Sequence, residues 1–172
     1  MRIFLIGFMG SGKSHWGKIW AAATNMTWYD IDTIIEEDEQ LSIEQIFEKK
    51  GVQYFRQKEA AILRSMVDYN NCIISCGGGT ACYENNMNWM LANGKTVYLK
   101  ADAEWLLNNM INELDKRPLF KNMDQHELIN FINTMLTERN PFYHQASLVF
   151  DAEQLNPSSI YQILQYTEDT YA

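Results

Sequence analysis

Apolar residues fall into two kinds of run along the chain. Short runs with few polar interruptions predict buried strands at Arg2–Gly7 (RIFLIG), Trp28–Tyr29 ending at Asp30, Asn71–Cys76, Thr96–Leu99 and Ser147–Asp151. Between them, helical spacing covers Lys13–Thr24, Thr33–Asp38, Ile43–Lys50, Gln53–Tyr69, Asn85–Ala92, Ala103–Leu114, Glu127–Arg139 and Ser158–Thr167. In Gln53–Tyr69 the residues Phe55, Ala60, Ile62, Leu63 and Met66 lie on or near one side, as an amphipathic helix requires. Ser42 with Gln45 predicts a near capping box, and Gly51 is expected to stop the helix it follows. Strands alternating with helices predict an α/β fold, a parallel sheet covered on both faces. There is no internal repeat, low-complexity tract or linker, so residues 1–172 read as a single domain with insertions.

Composition narrows the possible partners. The chain carries 14 Lys+Arg against 22 Asp+Glu, a formal net charge of −8. That balance opposes a duplex nucleic-acid binder, which needs cations to displace counterions, and equally opposes docking on anionic membranes. No segment approaches the roughly 20 apolar residues of a transmembrane helix. The apolar run after Met1 faintly suggests a signal peptide, but Gly10, Ser11, Gly12 and Lys13 break it without a small-residue cleavage site, and it reads as a strand. Cys72, Cys76 and Cys82 form neither a disulfide framework nor a zinc motif. They are expected to be buried as small apolar residues in a reducing cytoplasm.

The sharpest chemical signal is Gly7-Phe8-Met9-Gly10-Ser11-Gly12-Lys13-Ser14, a full G-x-x-x-x-G-K-[ST] phosphate loop. It follows a predicted strand and opens a predicted helix, the context such a loop requires. Its glycines let backbone N–H groups curl around phosphate oxygens, and the helix adds its positive dipole end. Lys13 should reach the β- and γ-phosphates, and the Ser14 hydroxyl should bind Mg²⁺.

Five later features address the acceptor. Asp30-Ile31-Asp32 follows the second strand, Phe55-Arg56-x-x-Glu59 lies on the long helix, and Gly77-Gly78-Gly79 follows the third strand. Arg117-Pro118-Leu119 and Arg139-x-Pro141-x-Tyr143 come late. In this order and spacing, with the phosphate loop, they resemble shikimate kinase, from Ile3 to about Pro157. The resemblance implies a P-loop NTPase three-layer sandwich, with a central five-stranded parallel sheet, a substrate-binding region at about 31–60 and a lid at about 113–126. It implies ATP and Mg²⁺, with transfer of the γ-phosphate to the 3-hydroxyl of shikimate in chorismate and aromatic amino-acid biosynthesis. A cytoplasmic monomer with no nucleic-acid or membrane partner is expected.

Site roles follow from the same resemblance. Lys13, Asp32 and Arg117 would be catalytic. Gly10, Ser11, Gly12, Lys13, Ser14, His15, Arg117 and Asn156 would bind nucleotide, and Ser14 and Asp30 would support the metal. Asp32, Arg56, Glu59, Gly77, Gly78, Gly79 and Arg139 would bind shikimate, the two arginines gripping its carboxylate. Glu59 would hold Arg56, and Arg117 would reach the transferring phosphate from the lid. Ser75 falls near the usual Walker-B position and would help the metal through water. Trp16 and Trp20 read as packing residues. His15 stands where threonine is usual, and Met110 where many members carry an arginine on adenine. Met110 would cover the base by dispersion, opposite Asn156-Pro157. A related small kinase acting on gluconate, and a catalytically silent binding module, are the rival readings.

Overall fold

The apolar run near the amino terminus forms β1 (Arg2–Ile6), buried beyond its first residue. In the computed structural model, which describes residues 1–111 and 123–166, β1 is the centre of a sheet with β2 (Thr27–Asp30), β3 (Cys72–Ser75), β4 (Lys95–Lys100) and β5 (Leu148–Asp151). All pairings are parallel, in the order β2-β3-β1-β4-β5. The chain thus moves from β1 to one side of the sheet and returns to the other. That reversal opens a crevice beyond the carboxyl end of β1.

The strand period of two supplies both faces of the core. Phe4 and Ile6 join Ile74 and Tyr98 beneath α3 (Ile43–Ser65) and α4 (Asn86–Asn93), through Ile62, Leu63 and Met90. Ile3 and Leu5 face the other way, with Val97 and Leu99, onto α1 (Lys13–Thr24) and α7 (Ser159–Gln165), through Trp20, Ala21, Ile160 and Ile163. A third cluster joins α5 (Ala103–Met110) to α6 (Gln125–Tyr143) through Leu106, Leu107, Leu128 and Ile132. The expected three layers are present, and α2 (Ile31–Glu39) lies beside α3.

Local signals explain most boundaries. Ser42 and Gln45 form a reciprocal capping box at the start of α3, and Asp124 and Glu127 form another at α6. Gly51 ends the first helical segment as expected: its φ of 83° and ψ of 165° are non-helical, and α3 resumes beyond this kink as a second segment. The helix expected over Glu127–Arg139 runs on to Tyr143 with Pro141 inside it. At the opposite end of the sheet from the crevice, the Arg2 guanidinium donates to the carbonyls of Tyr69 (2.8 Å) and Asn93 (2.8 Å). Arg2 thereby ties β1 to the ends of two helical segments. No helix among the described residues is long and apolar enough to cross a membrane. The expected lid and the end of the Ala103–Leu114 helix fall largely on residues 112–122, outside the described ones.

Candidate active site

The turn after β1 wraps the amino end of α1. Gly10 has φ 79°, and a Cβ there would stand 2.7 Å from Cγ of Met110 and 3.0 Å from the Leu106 carbonyl oxygen. Both the left-handed backbone and the close approach of α5 therefore demand glycine. Lys13 is buried, and its Nζ donates to the carbonyls of Gly7 (2.9 Å) and Phe8 (2.8 Å). Burial pushes its pKa down to about 8, while the carboxylates of Asp32 and Asp30 oppose the shift. This ammonium is held under the loop, where a phosphate would give it a stronger partner than two neutral carbonyls.

Asp30 ends β2 and uses its two oxygens differently. Oδ1 accepts from the N–H groups of Asp32 (3.1 Å) and Thr33 (3.3 Å), capping α2. Oδ2 accepts from the Ser14 hydroxyl at 2.5 Å. A hydroxyl and a carboxylate at the lip of a phosphate loop are the hard oxygen donors that Mg²⁺ takes along with water and phosphate. The two residues expected at the metal therefore sit together. Among the described residues no group of three or more His, Cys, Asp or Glu is gathered as a metal site.

Asp32, in the first turn of α2, has a buried Oδ1 without a hydrogen-bond partner. Burial first, then the nearby Glu59 and Asp30 carboxylates, push its pKa up to about 6, against the pull of Lys13 and Arg56. The Gly77-Gly78-Gly79 turn after β3 packs against this group. A Cβ on Gly77 would lie 3.0 Å from Asp32 Oδ1 and 2.5 Å from Glu59 Oε1.

The arginines come from two helices. On α3, Arg56 Nη1 donates to Glu59 Oε2 at 2.6 Å. Glu59 is fully buried, and its Oε1 accepts from the Thr80 hydroxyl at 2.5 Å. Both oxygens of a buried carboxylate are thus satisfied, which such burial requires. Thr80 is a supporting residue that no motif announces, although it directly follows the three glycines. The Arg56 guanidinium lies flat against Gly79, where a Cβ would stand 2.6 Å from its central carbon. From α6, Arg139 Nη1 reaches the Gly78 carbonyl at 3.3 Å, with its guanidinium 5.1 Å from the Phe8 ring centre. The Tyr143 hydroxyl donates to the same carbonyl, and burial keeps that phenol protonated.

These groups border one cleft of about 690 Å³, whose lining includes Lys13, Ser14, Asp30, Asp32, Gly77 and Gly78. Gly10, Gly12 and His15 line it too, while Ser11 is buried beneath the loop. Arg56, Glu59, Gly79 and Arg139 join through the contacts above. Arg117 lies outside the described residues.

Two expectations, for Met110 and Ser75, need correction, and the places of Asn156 and Trp16 become more definite. Met110 is buried and packs beneath Gly10, and the α5 positions on the cleft are Trp105 and Asn109. Asn109 Nδ2 donates to the Gly10 carbonyl at 3.1 Å. The expected helix phase is off by one residue, because Met110 suits a core face as well as a ligand face. Asn156 is not among the cleft-lining residues. Its Oδ1 accepts from Ser158 N–H (2.9 Å), and the wall is made by Ala152, Glu153 and Leu155. Ser75 is buried, donating to the Lys13 carbonyl (3.1 Å) and accepting from Trp28 Nε1 (3.0 Å), so it steadies α1 rather than a metal. Trp16 lines the cleft, while only Trp20 is wholly buried.

A family model described as Shikimate kinase matches residues 9–168. A shikimate kinase of Azobacteroides pseudotrichonymphae genomovar. CFP2 is 41% identical over 164 residues, covering 95% of this chain and 96% of that protein. Among solved structures, the shikimate kinase of Bacteroides thetaiotaomicron superposes with a TM-score of 0.88 at 36% identity, covering 96% of both chains. That of Acinetobacter baumannii, in complex with shikimate, gives 0.84 at 27% identity, covering 95% of this chain and 90% of that one.

Proposed function

The chain belongs to the shikimate kinase family, an ATP-dependent kinase of aromatic biosynthesis, and from that premise we propose how its own residues divide the phosphorylation of shikimate. One observation carries the proposal. The only cleft-facing carboxylate with a buried, unpartnered oxygen among the described residues, Asp32, stands between Lys13 of the phosphate loop and the arginines beyond the glycine turn.

Shikimate enters with its carboxylate toward Arg56 and Arg139. Two planar cations favour an acid over a neutral sugar. Glu59 fixes Arg56 by a charge-assisted bond, and Thr80 fixes Glu59. Arg139 and Tyr143 pin the Gly78 carbonyl, which turns the glycine segment into a floor beneath the acceptor. The 3-hydroxyl then lies beside Asp32.

ATP lies along the phosphate loop with Lys13 on its terminal phosphates. An Mg²⁺ ion, where bound with ATP, would be held by Ser14 directly and Asp30 through water, and would neutralise phosphate charge. An oxygen lone pair of the 3-hydroxyl forms the new bond to Pγ. The bond from Pγ to the β,γ-bridging oxygen breaks, and its electrons leave with ADP. The hydroxyl proton passes to Asp32, whose carboxyl is largely ionised at pH 7 yet basic enough to receive it. The transition state is loose, so placement and charge carry most of the acceleration. Arg117, on the expected lid, would add positive charge to the transferring group. The enzyme would work as a cytoplasmic monomer.

Coupled ADP release tests this across shikimate, gluconate and a nucleoside monophosphate. Turnover is expected with shikimate, and Arg56→Ala should raise its KM with MgATP affinity little changed. Phosphorylation of gluconate or a nucleotide with shikimate ignored would overturn the acceptor assignment.

A further inference from the structure

The assigned directions of the two ligands fix where the rest of the nucleotide must go. The acceptor lies toward Asp32, Arg56 and Arg139, so the γ-phosphate stands on that side of Lys13. The remainder of ATP extends the opposite way, past the amino end of α1. There the cleft wall consists of Trp16, Trp105, Asn109, Ala152, Glu153 and Leu155. None of these is an arginine. A base reaching this wall meets indole rather than guanidinium.

Trp16 is held as a fixed plane. Its ring stacks on Trp20 with centroids 5.6 Å apart and 25° between planes. Trp20 is fully buried, and its Nε1 donates to the Asn156 carbonyl at 3.2 Å, anchoring the pair to the turn that carries Leu155. The His15 ring meets Trp16 edge-on at 5.1 Å. Cδ1 of Trp16 would lie 3.1 Å from a Cβ on Gly12, so the indole abuts the phosphate loop itself. Through its stack on Trp20, the Trp16 ring therefore links the phosphate loop to the turn after β5. It remains partly exposed and lines the cleft.

We propose that Trp16 is the base-stacking residue of the nucleotide site, taking the base by dispersion and π-stacking on a rigid, uncharged plane. The inference rests on the nucleotide orientation proposed above. A neutral plane attracts any purine face without an ion, so its contribution is insensitive to salt. Its rigidity limits the side-chain entropy lost on binding.

Calorimetry with two probes tests this. MgADP carries the base, and inorganic pyrophosphate engages only the phosphate loop. Trp16→Leu is expected to weaken MgADP roughly 5- to 150-fold, the span for one base on one aromatic ring. Pyrophosphate affinity and shikimate KM should hold, and Trp16→Phe should recover part of the MgADP affinity. Unchanged MgADP affinity in Trp16→Leu would overturn the proposal. So would an equal loss for both probes, which would make Trp16 a prop for Gly12. Should Trp16→Leu not fold, Trp16→Phe alone decides, with MgADP weakened a few-fold and pyrophosphate unmoved as the expected result. A wild-type enzyme that binds MgADP but not pyrophosphate, with Trp16→Leu retaining MgADP, would instead refute the nucleotide orientation itself.

Discussion

Replacing Asp32 by asparagine should stabilise the protein while stopping turnover. A carboxyl that is harder to ionise in the fold than in the unfolded chain favours the fold when protonated and opposes it when ionised. The Asp32 pKa rises from 3.8 to about 6, because burial and two neighbouring carboxylates disfavour the charge. A rise of that size is worth roughly 3 kcal/mol against the wild-type fold at pH 7, and solvent reaching the half-buried side chain trims this to about 2 kcal/mol. The penalty is full above about pH 6, roughly halved at pH 5 and absent below about pH 4. Asparagine keeps the shape without the charge. Urea unfolding at pH 7 should therefore show Asp32→Asn more stable by about 2 kcal/mol, with Tm higher by roughly 4–8 °C. At pH 5 the margin should shrink to about half. ADP release with shikimate should fall by at least about 10²-fold, through loss of the proton acceptor. A variant no more stable than wild type at pH 7, or a margin independent of pH, would refute the claim that Asp32 carries buried, function-serving strain.

Three further outcomes are expected. Lys13→Ala should keep its circular-dichroism spectrum but lose kcat by at least about 10²-fold, since a preorganised charge on the transferring phosphate is gone; retained turnover would place that charge elsewhere. Gly79→Ala should push the Arg56 guanidinium off its seat and raise shikimate KM by about 10-fold or more, the value of a charge-assisted hydrogen bond, with MgATP KM unmoved. A normal shikimate KM there would mean Arg56 does not hold the substrate. In the free enzyme, kcat/KM should rise with pH through about 6 as Asp32 ionises and fall above about 8 as Lys13 loses its proton. The acid limb should vanish from the residual activity of Asp32→Asn.

Local chemistry decided how much of this was legible in the sequence. The strand–glycine–helix signature fixed the phosphate loop, and α1 spans the expected Lys13–Thr24, because backbone geometry there leaves few alternatives. Asp32, Arg56, Glu59, Gly77–Gly79 and Arg139 were recognisable by order and spacing, and they do converge. Residues whose role depends on phase were harder. Met110 and Asn109 are neighbours on α5, and only packing against Gly10 decides which of them faces in. Ser75 had a plausible metal role until the Trp28 indole and the Lys13 carbonyl claimed its hydroxyl, two contacts that bring together three distant segments. The helix expected to end at Arg139 runs on to Tyr143, and α6 absorbs Pro141 in its last turn. Gly51 was legible as a stop, because its φ of 83° breaks the helix, and α3 resumes beyond it as a second segment.

The strand order has an evolutionary consequence. The proposed acceptor contacts hang from β2, β3 and α3 on one side of β1, together with Arg139. The far nucleotide wall hangs from α5 and the turn after β5 on the other. Lys13, at the midpoint, is shared by both. Mutations that remodel the acceptor pocket therefore need not disturb the grip on the base, and the reverse also holds. The architecture lets one half drift toward a new alcohol while the other keeps the phosphate donor, so that specificity can diversify by parts.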